Sequence, residues 1–344
     1  YTICAGNNAS LTIAGTGTAI TYQWKVDDGT GAVNIINGGV YSGATTPTLT
    51  ITGAPVSMNM YAYRCVISGA CSPSVTSALA VLRVNSLPAI VSNPTNSTVC
   101  EGTATSFAVT ATGTGLSYQW QVNTGTGFAN VPPTPYYHGA NTSVFSITNT
   151  SFALNAYQYR CIVSGVCVPS VTSTSAALTV NTLPKITSQP GNATVCVGNN
   201  ATFTVAGTGT GLTYQWQVDG GTGPVNISNG AIYSGVNTAT LTIINPPTSM
   251  HLLNYRCIVS GTCAPSVATN LAVLRVNSLP TITSDLTSTT ACENANATFI
   301  INATGTGIGY QWQVNDGTGF VNIPATATYS GANIRVLTIR SITK

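Results

Sequence analysis

Tyr22-Gln23-Trp24 comes back as Tyr118-Gln119-Trp120, Tyr214-Gln215-Trp216 and Tyr310-Gln311-Trp312, each copy 96 residues after the last. Trp24, Trp120, Trp216 and Trp312 are all the tryptophans of the chain. The ten cysteines fall on the same step: Cys4, Cys100, Cys196 and Cys292; Cys65, Cys161 and Cys257; Cys71, Cys167 and Cys263. No net insertion or deletion separates the copies. A shared length of this kind marks packed units whose neighbours constrain them, hence a tandem array.

Working outward from the Trp, each copy reads as strands and turns. Leu116, Tyr118, Trp120 and Val122 lie on one face of a strand and Ser117, Gln119 and Gln121 on the other. Asn123-Thr124-Gly125-Thr126-Gly127 is a hairpin turn whose glycines supply positive φ. Ser106–Val109 and Ser143–Ile147 alternate at period two, and Tyr157–Val163 leads through Ser164-Gly165 to a last strand ending at Val180. No helical periodicity of useful length interrupts this. About seven short strands in such a length predict an all-β Greek-key sandwich.

The seams are Leu87-Pro88, Leu183-Pro184 and Leu279-Pro280, each after Asn-Ser or Asn-Thr. Proline fixes φ and interrupts strand pairing, and no Gly/Ser-rich spacer follows, so stiff joints are expected. The predicted domains are 1–86, 87–182, 183–278 and 279–344. Tyr1 falls opposite Ser97 and Lys344 opposite Thr248, so the first domain reads as truncated at its N-terminus and the last at its C-terminus. The chain then reads as a window on something longer.

Composition narrows the function classes. Of 344 residues only 5% are charged, with ten Lys+Arg against seven Asp+Glu and no basic run. So weak a field argues against nucleic acid or anionic membrane as partners. No stretch is long and apolar enough to cross a bilayer. Cysteines at strictly repeated positions point to an oxidising, extracellular setting.

At Tyr61-x-Tyr63-Arg64-Cys65, with a Trp well upstream, the copies resemble the immunoglobulin fold, with its central Trp and its tyrosine corner before a Cys. More narrowly, Thr98-Val99-Cys100-Glu101-Gly102, Tyr118–Gln121, Tyr159-Arg160-Cys161 and Ser164–Ser170 are similar to Ig-like repeats of very large secreted and surface proteins of Bacteroidetes, including gliding-type adhesins. The likeness runs through every copy. It implies tandem immunoglobulin-like sandwiches with Trp24, Trp120, Trp216, Trp312, Tyr63, Tyr159, Tyr255, Cys65, Cys161 and Cys257 as structural residues. For function it implies less, because such modules serve as spacers, stalks and binders alike.

One departure is informative. The position facing Cys65 across an ordinary immunoglobulin sandwich holds Ile13, Val109, Val205 and Ile301 in the four copies. The usual inter-sheet disulfide is therefore absent, and Cys65, Cys161 and Cys257 are expected as buried thiols. Cys4, Cys71, Cys100, Cys167, Cys196, Cys263 and Cys292 remain as disulfide candidates. Three pairings stay open: Cys4 with Cys71 inside one domain, Cys65 with Cys71 across a hairpin, or Cys4 with Cys167 and Cys100 with Cys263 as staples between consecutive domains. Opposite ends of strands six or seven residues long lie ~20 Å apart, which weighs against the first.

Catalysis finds no support. His138 and His251 fall at different points of the repeat and are expected as solvated loop residues, and no carboxylate pair recurs. Asp27-Asp28 is too thin for a calcium site and suits a turn; no CxxC occurs for zinc. No catalytic, cofactor or metal site is expected. Sequons such as Asn8, Asn96, Asn141 and Asn192 permit glycosylation without arguing for it. Tyr41, Tyr137, Tyr233 and Tyr329 recur beside a turn, either as packed residues or as part of an adaptable surface.

Beneath the 96-residue period lies a longer one. Copies one and three share Gly-Asn-Asn-Ala at 6–9 and 198–201, and copies two and four share Gly-Phe at 127–128 and 319–320. The array therefore alternates two domain types. The functional expectation is the shaft of an extracellular fibre or adhesin, with neighbouring domains and other copies as partners. The alternative is a carbohydrate- or protein-binding module acting through end loops.

Overall fold

The computed structural model describes residues 1–343. The chain divides into two compact units, Tyr1–Thr182 and one from Leu183 onward. Each holds two β-sandwiches with cores of their own.

The second sandwich shows the plan. One sheet runs Ser97–Cys100, Ala176–Asn181, Gln158–Ser164, Ser117–Asn123, Phe128–Asn130; the other runs Thr105–Ala108, Val144–Ile147, Tyr137–His138. Ala89–Ser92 pairs separately with Thr110–Thr112. The first strand of the large sheet is parallel to the last, with Cys100 opposite Asn181. That pairing joins the two ends of the domain, and sequence alternation alone does not announce it.

The Trp strand pairs with the Cys strand over seven residues, with Trp120 opposite Cys161 and Val122 opposite Tyr159. The same register sets Trp24 opposite Cys65 and Trp216 opposite Cys257. Trp120 and Trp216 are fully buried and Trp24 is nearly so. Each indole Nε1 donates to a backbone carbonyl 22 residues on, Thr46, Thr142, Thr238 and Ile334, at 2.9–3.0 Å. A buried N–H without such an acceptor would cost about 1–3 kcal/mol. In the fourth sandwich the Trp strand shortens to Gln313–Asn315, without a Cys strand beside it among the described residues, and Trp312 rises to 9% exposed.

Cys65, Cys161 and Cys257 are buried thiols, and each backbone N–H donates to a hydroxyl, Ser77, Ser173 or Thr269, at 2.9 Å. Burial pushes Cys161 and Cys257 up to about 11, against a weaker opposing backbone hydrogen bond. At neutral pH they are inert fillers.

Tyr63, Tyr159 and Tyr255 are fully buried beside the Trp strand. Tyr63 and Tyr255 share hydroxyl hydrogen bonds with Tyr41 and Tyr233, at 3.2 and 3.3 Å, with edge-on rings. Burial, then the facing hydroxyl, raises Tyr63, Tyr159 and Tyr255 well above the ordinary phenol range. Tyr41 and Tyr233 are thus packing residues. His251 is also no idle loop residue: its Nδ1 accepts from Val276 N at 3.0 Å, the task that Asn59 and Asn155 perform for Val84 and Val180.

Candidate functional site: the seam between sandwiches

Within the first unit the seam is built by three devices. Cys4 ends the strand Thr2–Cys4, opposite Asn85 on the last strand of the first sandwich. Ala5 N donates to Asn85 O at 2.9 Å, so the strand end is tied down just before Ser86-Leu87-Pro88. The second sandwich contributes the Gly113–Leu116 loop. Ser86 N donates to Thr114 Oγ1 at 2.9 Å, Thr114 N donates to Ser86 O at 3.2 Å, and the two hydroxyls are 3.1 Å apart.

Gly113 is required here. A Cβ on it would stand 2.9 Å from the Pro88 Cα and 3.1 Å from the Leu87 carbonyl, and its φ is +149°. Only glycine lets the loop lie flat against the Leu-Pro joint. The second unit repeats the arrangement: Ser278 N donates to Thr306 Oγ1 at 3.0 Å, and a Cβ on Gly305 would stand 3.0 Å from the Pro280 Cα.

The third device is covalent. Cys4 is bonded to Cys167, with Cα atoms 5.7 Å apart, inside the 4.4–6.8 Å that a disulfide spans. Cys167 lies in the turn after the Cys strand of the second sandwich. Val166 N donates to Thr114 O at 3.0 Å, and the Cys167 Sγ rests 3.6 Å from the Asn85 carbonyl oxygen. Cys167 is 1% exposed and Cys4 is partly buried, so the bond lies largely within the seam. Of the pairings left open by the sequence, this is the staple between domains; Cys4–Cys71 and Cys65–Cys71 are not formed. Cys100 and Cys263, one period further on, are disulfide-bonded cysteines as well. The remaining candidates, Cys71, Cys196 and Cys292, are exposed and unbonded.

The acidic turn residues serve the turns. Asp27 Oδ1 accepts from Gly29 N and Gly31 N, and Asn123, Asp219 and Asn315 do the same for their glycines. The Thr30 hydroxyl, then its amide, holds Asp28 below the usual carboxylate range. Among the described residues no group of three His, Cys, Asp or Glu could hold a metal. Among the described residues no helix is long and apolar enough to cross a membrane.

Comparison with solved structures places this geometry. The I-band fragment I67–I69 of titin superposes with a TM-score of 0.54 at 16% identity, covering 80% of this chain and 95% of that one. The fold is that of tandem immunoglobulin-like domains. The N-terminal eight Ig domains of Down Syndrome Cell Adhesion Molecule match at a TM-score of 0.46 and 20% identity, over 100% of this chain and 44% of that one. Sidekick-1 immunoglobulin domains 1–5 match at 0.43 and 18%, over 99% and 72%. By sequence, no family model and no curated protein matches the chain. At such identities the likeness carries the fold and leaves function to the residues.

Proposed function

We propose that the chain is part of the shaft of an extracellular surface fibre or adhesin, of the kind built from Ig-like repeats in Bacteroidetes, and has no catalytic role. Domains 1–86, 87–182, 183–278 and 279–344 act as rigid segments that project something away from a cell. The observation that carries this reading is the Cys4–Cys167 bond across the seam. A disulfide inside one domain would stabilise that domain; one between domains fixes their relative orientation. The tight Leu-Pro joint and the Ser86–Thr114 hydrogen bonds support the same role.

Partners are the adjoining domains and other copies of the chain. The sequence alternates two domain types, so the proposed working repeat is a pair of domains. Small-angle X-ray scattering of the chain with and without a reductant tests the proposal. The oxidised protein is expected to give a narrow distribution of maximum dimensions, and reduction or Cys4→Ser to broaden it. Equal, broad distributions in all three samples would remove the basis for a rigid shaft.

A further inference from the structure

The second sandwich differs from the first and third in two loops at once, and the two loops face each other. One is Val131–Tyr136, sequence Val-Pro-Pro-Thr-Pro-Tyr; the equivalents are Ile-Ile-Asn-Gly-Gly-Val at 35–40 and Ile-Ser-Asn-Gly-Ala-Ile at 227–232. The other is Asn149-Thr150-Ser151, where the first and third copies have Gly53-Ala54-Pro55 and Asn245-Pro246-Pro247. Both changes add hydroxyl groups. Together they line a cleft formed by Thr134, Tyr136, Tyr137, Asn149, Ser151 and Leu154.

Three observations make this a built site. The floor is opened by one residue: Met58 and Met250, buried in the first and third sandwiches, are replaced by the shorter Leu154. The rim is stiff, because Pro132, Pro133 and Pro135 fix φ and Thr148 N donates to Tyr136 O at 3.0 Å. Tyr136 is nonetheless half-exposed, so an aromatic face is held out in a set position. Hydrogen-bonding capacity is also left over. The buried Oγ1 of Thr134 has no protein partner, nor has that of Thr150, a fully buried side chain between two lining residues. Such groups are costly unless something completes them.

We infer that this cleft binds a neutral saccharide. A pyranose offers an apolar C–H face for the Tyr136 ring and a fringe of hydroxyls for Asn149 and Ser151. An apolar ligand would leave the cleft hydroxyls unpaired. An anion is disfavoured, since no Lys or Arg lines the cleft and Glu101 Oε1 accepts from Phe152 N beside Ser151. The pattern is that of a mostly apolar pocket with a few placed polar groups, on loops carried by a rigid scaffold.

The test uses the whole chain on a surface of immobilised neutral mono- and disaccharides, with sialylated and sulfated glycans and an unrelated peptide as comparison arms. At least one neutral saccharide should be retained. Tyr136→Ala, and Leu154→Met, which restores the filler of the other sandwiches, should each reduce retention tenfold or more with the thermal midpoint unchanged. Retention of no neutral saccharide, retention confined to the anionic glycans or the peptide, or equal retention by both variants would overturn the inference. None of these outcomes bears on the rigidity of the seam.

Discussion

Lys25→Gln should stabilise the first sandwich, and the reason lies in a comparison internal to the chain. Lys25 stands directly opposite Arg64 on the paired strands. In the second and third sandwiches the position of Lys25 is Gln121 or Gln217, whose Oε1 accepts from Arg160 Nε at 2.9 Å or Arg256 Nε at 2.7 Å. Arg160 also stacks over Phe128 at 4.0 Å, where the first copy has Ala32. Arg64 has neither support, and its Nε is buried without a hydrogen-bond partner. An unpaired buried donor costs about 1–3 kcal/mol, and like charges directly opposite add some tenths. Both side chains keep some exposure, so the lower end applies and the substitution should gain ~1–2 kcal/mol. The local assay is native-state amide exchange of Cys65 and Val66, which should slow about 5–30-fold. Lys25→Met removes the charge without supplying an acceptor and should recover only a small part. Equal slowing in both variants, or none with Gln, would show that Arg64 Nε is not the source of strain.

Trp120→Ala should cost ~3–5 kcal/mol, read as a lowered denaturant midpoint by circular dichroism, because it empties a fully buried site. Cys4→Ser should cost about 2–5 kcal/mol by releasing a long closed loop, and its thermal midpoint should fall less on adding reductant than that of the parent chain, since Cys100 and Cys263 remain bonded. Iodoacetamide at pH 8 should label Cys71, Cys196 and Cys292 in the folded chain and spare Cys65, Cys161 and Cys257 until denaturant is added, as mass spectrometry of the peptides would report. The folded thiols of Cys161 and Cys257 titrate near 11 and unfolded ones near 9. Stability held by the neutral buried thiols is therefore complete below about pH 9 and declines as pH rises towards 11. The melting temperature should fall across that window, and less so in Cys161→Val.

The strand order around the Trp was legible because its cues are local: alternation, glycine turns and a fixed step from Trp to Cys. Even the staple could be written down as one of three pairings, because strand length sets how far apart the ends of a sandwich lie. What stayed hidden depends on contacts between residues far apart in the chain. The Tyr41–Tyr63 hydroxyl pair, the part His251 plays for Val276, and the facing of Lys25 by Arg64 all need the register of two strands before they have meaning. The cleft at Tyr136 was hidden for another reason. Its signal is a difference between copies in two separate loops, and an argument from what the copies share passes over such a difference.

The bond between Cys4 and Cys167 also changes how tension would travel. Pull on Tyr1 and on Thr182, and the force runs from Tyr1 to Cys4, crosses through sulfur to Cys167, and leaves by the last strand. The 163-residue separation closed by the bond lies outside that path. Either sandwich can then lose much of its structure without the molecule growing longer, since roughly 500–600 Å of contour is withheld from the load. A protease that cuts anywhere between the two cysteines likewise leaves one covalent object. A reductant able to reach this largely buried bond would be needed to release the slack.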